Sequence, residues 1–364
     1  MLATAIRRLL TPLLRRPFST TTTASLNPTI PQTRTRTLTP LDKEFESWTK
    51  TLTPGFTISD VNAALRSTSD PDLALDIFRW TAHQRNYRHD HSTYLTIIDI
   101  SVSGHRIRHA ETLLDEVLAG ACEMNTELYN VMLRFCCKHR FMFKRAFDVY
   151  KKMYGARDED CRPDLETYRM LFEVLLRRFN RMSVSYVYLR SVKLLVKQMK
   201  AVGVVPDTFV INMVIKAYTK CLEVDEAMRL FREMGLYGCE PNAYSYGYLI
   251  KGLCEKERVG LALRFFEEMR GKGLVPSSST FMVLVCGLAL EKRYEVAADV
   301  MLDMVGNFMS PDFLTYRTLF EEMCRDGKGD DALELLEEMR KRDVNMGERT
   351  YKSLLDSLHF PNQE

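Results

Sequence analysis

A step of 35 residues, repeated along the second half of the chain, limits what this sequence can fold into. Five methionines keep that step without a slip: Met199, Met234, Met269, Met304 and Met339. Other residue classes keep it in other phases: Ala227, Ala262, Ala297 and Ala332; Ile211, Tyr246, Phe281, Tyr316 and Tyr351; Pro206, Pro241, Pro276 and Pro311. Several classes in phase indicate one structural unit copied along the chain.

The unit at residues 208–242 shows what each copy contains. Apolar residues recur at helical spacing in its first half and again in its second half. Gly238 and Pro241 are typical of the end of the second helix, and Asn242 can cap the next one. A helical pair with so many apolar faces requires similar neighbours. The sequence therefore predicts an all-α fold, an α-solenoid of stacked helix–turn–helix units with a long concave face.

The period also predicts the organisation of the chain. Residues 91–347 divide into seven units: 91–125, 126–164, 165–207, 208–242, 243–277, 278–312 and 313–347. The second has four extra residues and the third has eight, which we place within 177–189. We interpret residues 42–90 as a degenerate N-terminal cap and 348–364 as a C-terminal half-repeat that covers the last core.

Residues 1–41 have a different composition from the rest. They contain six arginines, no lysine and no acidic residue, with many serines and threonines. This composition is typical of an organellar transit peptide, with cleavage near Ser19; a disordered basic tail is the alternative. The arginine-rich, amphipathic start favours the mitochondrial matrix over the chloroplast.

Other classes of protein fit poorly. The chain has no apolar run long enough to span a bilayer. Its nine cysteines contain no Cys-x-x-Cys, so we expect small core residues rather than metal ligands. His89 and His91 flank Asp90 at a joint where we expect solvated side chains. His109-Ala110-Glu111 matches only half of a deaminase signature. We therefore expect no enzyme, no metal and no cofactor.

The distribution of charge points to a polyanion. The formal +3 is the sum of +6 for residues 1–41, −5 for 42–125, +8 for 126–207 and −6 for 208–364. A positive segment in an otherwise acidic chain favours an anionic partner. The alternative is a solvated face of amphipathic helices.

The repeat resembles a known one. Gly252-Leu253-Cys254 in a first helix, and the run from Asp225 to Met234 in a second, look like the pentatricopeptide repeat. The related tetratricopeptide repeat has a period of 34 residues and places its aromatic residues differently. The resemblance covers residues 91–347, and the uniform spacing is similar to that of plain, P-type, organelle-targeted members from plants.

This resemblance implies single-stranded RNA in the concave groove, about one base per repeat. The family reads bases with the residue after the repeat's aromatic and with the last residue of the repeat. Two pairs fit that pattern, Asn130/Asp164, which implies U, and Asn212/Asn242, which implies C or U. The pairs that do not fit are Leu95/Asn125, Arg169/Asp207, Gly247/Ser277, Met282/Asp312 and Arg317/Gly347. Because Asp164 and Asn242 are also good N-caps, helix starts alone explain their presence.

The resemblance assigns two further roles. An apolar residue three places before the first reader wedges between bases, which here implies Phe209 and Tyr244. One groove-facing repeat position suits phosphate contact and is occupied by Lys138, Arg177, Lys220 and Arg325.

Two functions stay open from the sequence. The first is an RNA-binding factor in mitochondrial transcript processing, such as intron splicing, end stabilisation or maturation. The second is a non-catalytic assembly or scaffold subunit, for example of the mitochondrial ribosome, with ribosomal or splicing proteins as partners. In either case we expect a monomer that does not enter the membrane.

Overall fold

The computed structural model describes residues 40–52, 55–179, 186–343 and 346–359, and every regular element in those ranges is helical. The predicted transit peptide, apart from its last two residues, lies outside the described residues, as does Ser19. The chain divides into two units, residues 1–47 and 48–364. The first unit contributes only the beginning of helix α1 to the described residues, and everything below concerns the second.

The helices follow one another with short connections. In chain order they are α1 (Pro40–Thr51), α2 (Ile58–Ser67), α3 (Pro71–Ala82), α4 (His91–Ser103), α5 (Ile107–Ala119), α6 (Thr126–Lys138), α7 (Phe143–Tyr154), α8 (Leu165–Phe179), α9 (Tyr186–Val202), α10 (Thr208–Lys220), α11 (Val224–Glu233), α12 (Ala243–Glu255), α13 (Val259–Gly271), α14 (Ser278–Leu290), α15 (Tyr294–Gly306), α16 (Phe313–Arg325), α17 (Gly329–Arg342) and α18 (Glu348–His359). Short 3₁₀ turns cover Arg140–Met142, Glu159–Cys161 and Met234–Tyr237.

From α4 to α17 these helices form pairs, and we name the first of each pair the A helix and the second the B helix. Each A helix packs against its own B helix and against the A helices of neighbouring pairs, as α12 does with α10 and α14. The A helices therefore form one layer, and the predicted all-α solenoid is confirmed. Within the described residues, no helix combines the length and the apolar character needed to cross a bilayer.

The repeated residues form the core between the pairs. The five methionines of the 35-residue step and the four alanines in phase with them are all buried. Alanine lets neighbouring helices approach closely, and the unbranched methionine fills the space that remains. Tyr246, Phe281 and Tyr316 are also buried, and the ring of Tyr246 meets that of Phe231 edge-on at 4.9 Å between centroids.

Polar N-caps start the A helices. A side chain at the end of one repeat accepts a hydrogen bond from a backbone N–H in the first turn of the next A helix. This holds for Asp90, Asn125, Asp207, Asn242, Ser277 and Asp312. Such a cap contributes about 1 kcal/mol to helix stability.

The turn from A helix to B helix follows one pattern that the sequence does not reveal. Leu222, Glu257 and Lys292 adopt a left-handed conformation with φ near 60°, and Gly327 occupies the same position in the next repeat. The N–H of the following residue donates to a carbonyl five residues back, as Glu223 does to Tyr218 at 3.0 Å. This hydrogen bond is that of a Schellman motif, for which glycine is the usual residue.

Each turn from a B helix to the next A helix also contains one residue in the left-handed conformation, at the same position of successive repeats. Gly203, Gly238 and Gly273 have positive φ, and Phe308 occupies the equivalent position with φ 59°. Phe308 as a whole residue is 98% exposed. An aromatic residue is therefore held in a conformation that disfavours any side chain, with no burial to compensate.

The ends and the long third unit depart from the regular repeat. Helices α8 and α9 have 15 and 17 residues, whereas α10 has 13. The extra residues therefore lengthen both helices, while residues 180–185 between them lie outside the described ranges. At the C-terminal end, Leu354 and Leu358 of α18 are buried against the last pair, as a covering helix requires.

One expectation about the N-terminal joint is wrong. His89 is buried rather than solvated, with its ring stacked on Phe78 at 3.7 Å between centroids. Its Nε2 lies 2.9 Å from the carbonyl oxygen of Phe78, so that nitrogen carries the proton and donates. Burial lowers the pKa of His89, which keeps the imidazole neutral.

Candidate nucleic-acid interface

Asn130 and Asp164, which lie 34 residues apart in sequence, meet on the layer of A helices. The side-chain amide of Asn130 donates to both carboxylate oxygens of Asp164 at 3.1 Å. Its carbonyl oxygen accepts from the hydroxyl of Thr167 at 2.6 Å. Because Asp164 also accepts from the backbone N–H of Thr167 at 2.8 Å, the cap and the predicted reader form one hydrogen-bonded cluster.

Asn212 and Asn242 repeat this arrangement two units further along. The amide of Asn212 donates to Oδ1 of Asn242 at 3.1 Å, and its oxygen accepts from the hydroxyl of Ser245 at 2.6 Å. Oδ1 of Asn242 also accepts from the backbone N–H groups of Tyr244 and Ser245, which fixes that atom as the oxygen. The orientation of both amides follows from these bonds.

The clusters leave part of each asparagine's hydrogen-bonding capacity unused. An asparagine side chain has two N–H donors and two acceptor lone pairs on its oxygen. Asn130 and Asn212 each use one donor group and one lone pair within the cluster. Both residues are only 4% exposed, so the unused N–H donor and the unused lone pair of each amide are held in a fixed direction. A fixed donor next to a fixed acceptor can pair with the edge of a base.

Thr167 and Ser245 were missed from the sequence, although they hold the two predicted readers. Each is the third residue after the N-cap, a position where a hydroxyl also serves the helix start. The signal was present, because Thr93, Thr280 and Thr315 occupy the same position in other repeats. The hydroxyl at this position orients a reader only if an asparagine of the preceding A helix lies beside it. That proximity is visible only in the packed structure.

The remaining reader positions form no such cluster. The guanidinium of Arg169 pairs with the carboxylate of Asp207, so an ion pair occupies the third unit's position. Gly247 has no side chain. Met282 brings a half-buried apolar side chain, and Arg317 pairs with Glu321 of its own helix at 2.5 Å.

The predicted wedges differ in their surroundings. Tyr244 is 66% exposed at the start of α12, free to take a stacked ring. Phe209 is 37% exposed, and the Arg169 guanidinium carbon lies 6.0 Å from its ring centroid. The Phe209 face therefore has a cation close to it already.

The four predicted phosphate contacts are not equivalent either. Lys138 is exposed at the end of α6, and no ion pair to it occurs within the described ranges. Arg177 donates to Glu173 at 2.6 Å and to the Cys137 carbonyl at 2.9 Å. Arg325 pairs with Glu322 one turn earlier in its helix. Lys220 lines a groove between α10 and α12 together with Tyr244.

Ion pairs also neutralise part of the positive segment. Carboxylates of neighbouring helices or of the same helix pair with Arg134, Arg145, Arg162, Arg169, Arg177 and Lys193. Several of these pairs join repeats, such as Arg134 to Glu166 at 2.5 Å. The excess charge of this segment is therefore carried by the cations outside these pairs, such as Lys138.

Comparison with known proteins finds matching repeats and similar proteins. A model described as the PPR repeat family matches residues 206–255, 248–290 and 311–359. A mitochondrial pentatricopeptide repeat-containing protein of Arabidopsis thaliana is 58% identical over 216 residues, or 59% of this chain and 56% of that protein. A second mitochondrial member from the same plant is 32% identical over 190 residues, or 52% of this chain and 43% of that protein.

The fold has a counterpart among solved structures. The pentatricopeptide repeat protein PPR10, in complex with an 18-nt psaJ RNA element, superposes with a TM-score of 0.54 at 24% identity. The match covers 89% of this chain and 44% of that one. The chain spans about half the length of the curated relatives it matches. The helical pairs, the matched repeats and these relatives agree: residues 206–290 and 311–359 carry pentatricopeptide repeats, and the chain is similar to members of that family.

Proposed function

We propose that this chain binds single-stranded RNA along the layer of A helices and reads a pyrimidine at each of two positions. The observation that carries the proposal is the pair of matching clusters, Asn130 with Asp164 and Asn212 with Asn242. Each holds a nearly buried amide between a helix cap and a hydroxyl, which is more order than helix capping requires. The complex of PPR10 with RNA supports the same class of ligand.

The two clusters present different chemistry to a base. Asp164 adds carboxylate oxygens, which accept a hydrogen bond such as that from the N3–H of uracil. Asn242 has its Oδ1 occupied by its helix and by Asn212, so its amide group offers donors instead. Donors pair with the ring nitrogen of cytosine or a carbonyl oxygen of either pyrimidine. We therefore assign U to the first cluster and C or U to the second.

We place this activity in mitochondrial transcript processing, such as intron splicing, end stabilisation or maturation. The proposal is supported by two relatives that are named as mitochondrial proteins. The arginine-rich, acid-free residues 1–41 support import with cleavage near Ser19. Binding rather than catalysis is proposed, because His109 lies within the B helix α5 and the sequence has no Cys-x-x-Cys to complete the deaminase signature.

The decisive variant is Asn212→Ala. It removes a base contact and leaves phosphate contacts in place, so we expect loss of pyrimidine preference at one nucleotide, by about 1–3 kcal/mol. The slope of log affinity against log salt should stay unchanged. The measurement is filter binding over a salt series with RNA oligonucleotides that differ at one base.

Asn307→Ala is a matched control, since the side-chain amide of that asparagine donates to Asp303 on a B helix. Asn242→Ala is a poorer test, because it also removes the cap of α12. If Asn212→Ala alters affinity for every sequence equally, or leaves it unaltered, this repeat is not a reader.

In that event the second candidate, a scaffold subunit that contacts protein or ribosomal RNA, takes precedence. It is favoured by the reader positions that cannot read: the ion-paired Arg169, the glycine at 247 and the apolar Met282. Sedimentation of the tagged protein with sequencing of its bound RNA separates the two. Ribosomal fractions indicate the scaffold, and one or two introns or transcript ends indicate the processing factor.

A further inference from the structure

The positive charge of residues 126–207 lies mainly on the two B helices of that segment. Helix α9 contains four cations and no carboxylate, and α7 contains four cations and one carboxylate. The A helices of the same units, α6 and α8, each have only one more cation than carboxylates. Every other B helix from α5 to α17 has at least as many carboxylates as cations. The B helices α7 and α9 are therefore the cationic part of their layer.

The cations of α9 share one exposed face. Steps of three and four residues place them along one side of the helix: Arg190, Lys193, Lys197 and Lys200. All four are exposed, whereas the buried side of α9 packs on the A helices α8 and α10. With a rise of about 1.5 Å per residue, successive charges are about 5 Å apart along the helix axis. They form one continuous row.

Carboxylates compensate little of this row. Within the described ranges, no carboxylate pairs with Arg190 or Lys197. Lys200 donates to a tyrosine hydroxyl at 3.3 Å, a neutral partner that leaves its charge uncompensated. Lys193 does pair with a carboxylate, that of Glu223, at 3.0 Å. Three of the four cations can therefore take an anion from outside without first losing a carboxylate.

Helix α7 extends the cationic surface into the neighbouring unit. The hydroxyl of Tyr150 in α7 donates to Oε1 of Gln198 in α9 at 3.1 Å, so the two B helices lie next to each other. Lys144 and Lys151, two turns apart on the exposed side of α7, pair with no carboxylate in the part of the chain that the structure describes. Asp148 lies between them and is the one carboxylate of the two helices.

The composition of this surface favours nucleic acid over protein as the partner. Six of the eight cations of α7 and α9 are lysines, which are depleted from interfaces between proteins. Interfaces with nucleic acids are more polar and more positively charged. The row from Arg190 to Lys200 contains no aromatic residue, whereas single strands are bound by stacking as well as by charge. A double helix keeps its bases paired and offers its phosphates, which such a row can contact.

We propose that the exposed faces of α7 and α9 bind the phosphate backbone of base-paired RNA. These faces belong to the layer of B helices, so a duplex binds there while a single strand lies on the A helices. A stem next to a single-stranded target can then occupy both layers of one molecule. The inference goes beyond the proposed function and does not depend on base reading.

The test removes two cations with the double variant Arg190→Gln and Lys197→Gln in the full chain. The probe is a blunt-ended RNA duplex of about 16 base pairs, which has no single-stranded part. With the value for duplex DNA, each lost phosphate contact should flatten the log–log salt slope by about 0.9 and weaken binding about 8-fold at about 0.1 M salt. We expect a loss of about 60-fold for the duplex. Affinity for a single-stranded pyrimidine RNA should stay unchanged, because salt screens charges beyond about 10 Å.

The double variant Arg232→Gln and Arg264→Gln is the matched control. These arginines are exposed on the B helices α11 and α13, and no carboxylate pairs with either within the described ranges. The control therefore removes the same charge from the same layer, and it should keep the duplex affinity of the wild type. Residues 1–41 are present in every protein compared, so the contribution of their arginines cancels. An equal loss in both variants would mean that net charge alone sets the affinity, and the site would be wrong.

Further outcomes separate this surface from the proposed function. If the duplex binds through α9 but no single-stranded RNA binds, the base-reading function is wrong and this surface stands. If only the single strand binds, or if an excess of it displaces the duplex, there is no second surface. Should the double variant fail to fold by circular dichroism, Lys144→Gln with Lys151→Gln replaces it.

Two other probes test the chemical class of the partner. Poly-glutamate that binds in place of the duplex, with the same dependence on Arg190 and Lys197, would assign the surface to an acidic protein. A DNA duplex of equal length that binds more tightly than the RNA duplex would contradict the assignment to RNA.

Discussion

In the proposed function, single residues decide whether a repeat can read a base. The resemblance predicts Asn130 and Asn212 as readers, and the structure adds a hydroxyl that donates to the amide oxygen of each one. Where the reader is Arg169, the residue three after the cap is Val210, which has no hydroxyl to offer. A cluster of this kind therefore requires three residues from two successive repeats: the asparagine, the N-cap at the end of its repeat, and a serine or threonine in the next A helix.

Ser245 should act as a positioning residue for Asn212. Ser245→Ala removes the hydroxyl that bonds the amide oxygen at 2.6 Å, so Asn212 gains rotational freedom and loses selectivity. We expect the preference for a pyrimidine at that nucleotide to fall by about 1 kcal/mol, with the salt slope unchanged. Binding to oligonucleotides that differ at one base measures it.

Ser245→Thr keeps the hydroxyl and copies Thr167 of the other cluster, so it should restore the preference. A purely structural role for Ser245 would instead weaken binding to all sequences and would show in the thermal midpoint. The prediction is wrong if the alanine and threonine variants discriminate equally.

Lys138 and Arg177 occupy the same repeat position but should contribute differently to RNA affinity. Lys138→Ala removes a cation without an ion pair in the described structure, and the salt slope should fall by about 0.7. Arg177→Ala should change it less, because a phosphate must first displace Glu173, which pairs with Arg177 at 2.6 Å. Titrations over a salt series measure both slopes, and equal losses would contradict the role given to Glu173.

At the scale of helices and turns, sequence patterns predict much of the fold. The phase of Met199 to Met339 predicts the buried seam, and the caps at Asn242 and Asp312 follow from their side chains. The left-handed conformation of Leu222 and Glu257 could not be predicted from the sequence, since neither residue is a glycine. Their conformation comes from the turn that the packed pair imposes.

Phe308→Gly should stabilise the protein. A left-handed conformation costs a residue with a side chain about 1–2 kcal/mol, and part of the gain is offset by the flexibility of glycine. The net increase in the free energy of unfolding should be about 1 kcal/mol, measured by urea denaturation. Gly273→Ala makes the reverse change at the equivalent turn, where φ is 72°, and should lower stability. An unchanged or lowered value for Phe308→Gly would contradict this account of the turn.

At the scale of the whole molecule, contacts between distant parts of the sequence limit prediction most. Only the packed structure shows that His89 is buried against Phe78 and that ion pairs join neighbouring repeats. Net charge alone predicts the positive segment, but carboxylates 30 or more residues away neutralise part of it. The 35-residue period predicts only features that recur in every repeat. Contacts that occur once, such as that of His89 with Phe78, cannot be predicted from it.

Acid should loosen the N-terminal pairs first. The folded state holds His89 neutral with a lowered pKa, while the unfolded chain takes up the proton near the ordinary value of about 6.5. Stability is therefore lost as the pH falls through that value. In a stack of repeats, unfolding then begins at this end. Hydrogen exchange at about pH 7.5 and about pH 5.5 should show faster exchange in α3 and α4 at the lower pH, beyond the intrinsic effect of pH.

His89→Gln should remove this pH dependence, because an amide does not titrate in that range. His83→Gln is the matched control, since His83 is exposed at the end of α3 and should leave it intact. Equal acid sensitivity of the wild type and His89→Gln would exclude His89 as the cause.

The clusters that join one A helix to the next have a consequence for how such a chain is rearranged. The cap, the amide and the hydroxyl come from both sides of the boundary at residue 242, so cutting there separates Asn212 from Ser245. If recombination or protein engineering transfers the segment 208–242 alone, the amide of Asn212 is moved without the Ser245 hydroxyl that orients it. If this cluster reads a base as proposed, the smallest segment that can be transferred with its function is 212–245. A duplication with a breakpoint inside that segment then requires a serine or threonine at the equivalent position of the recipient.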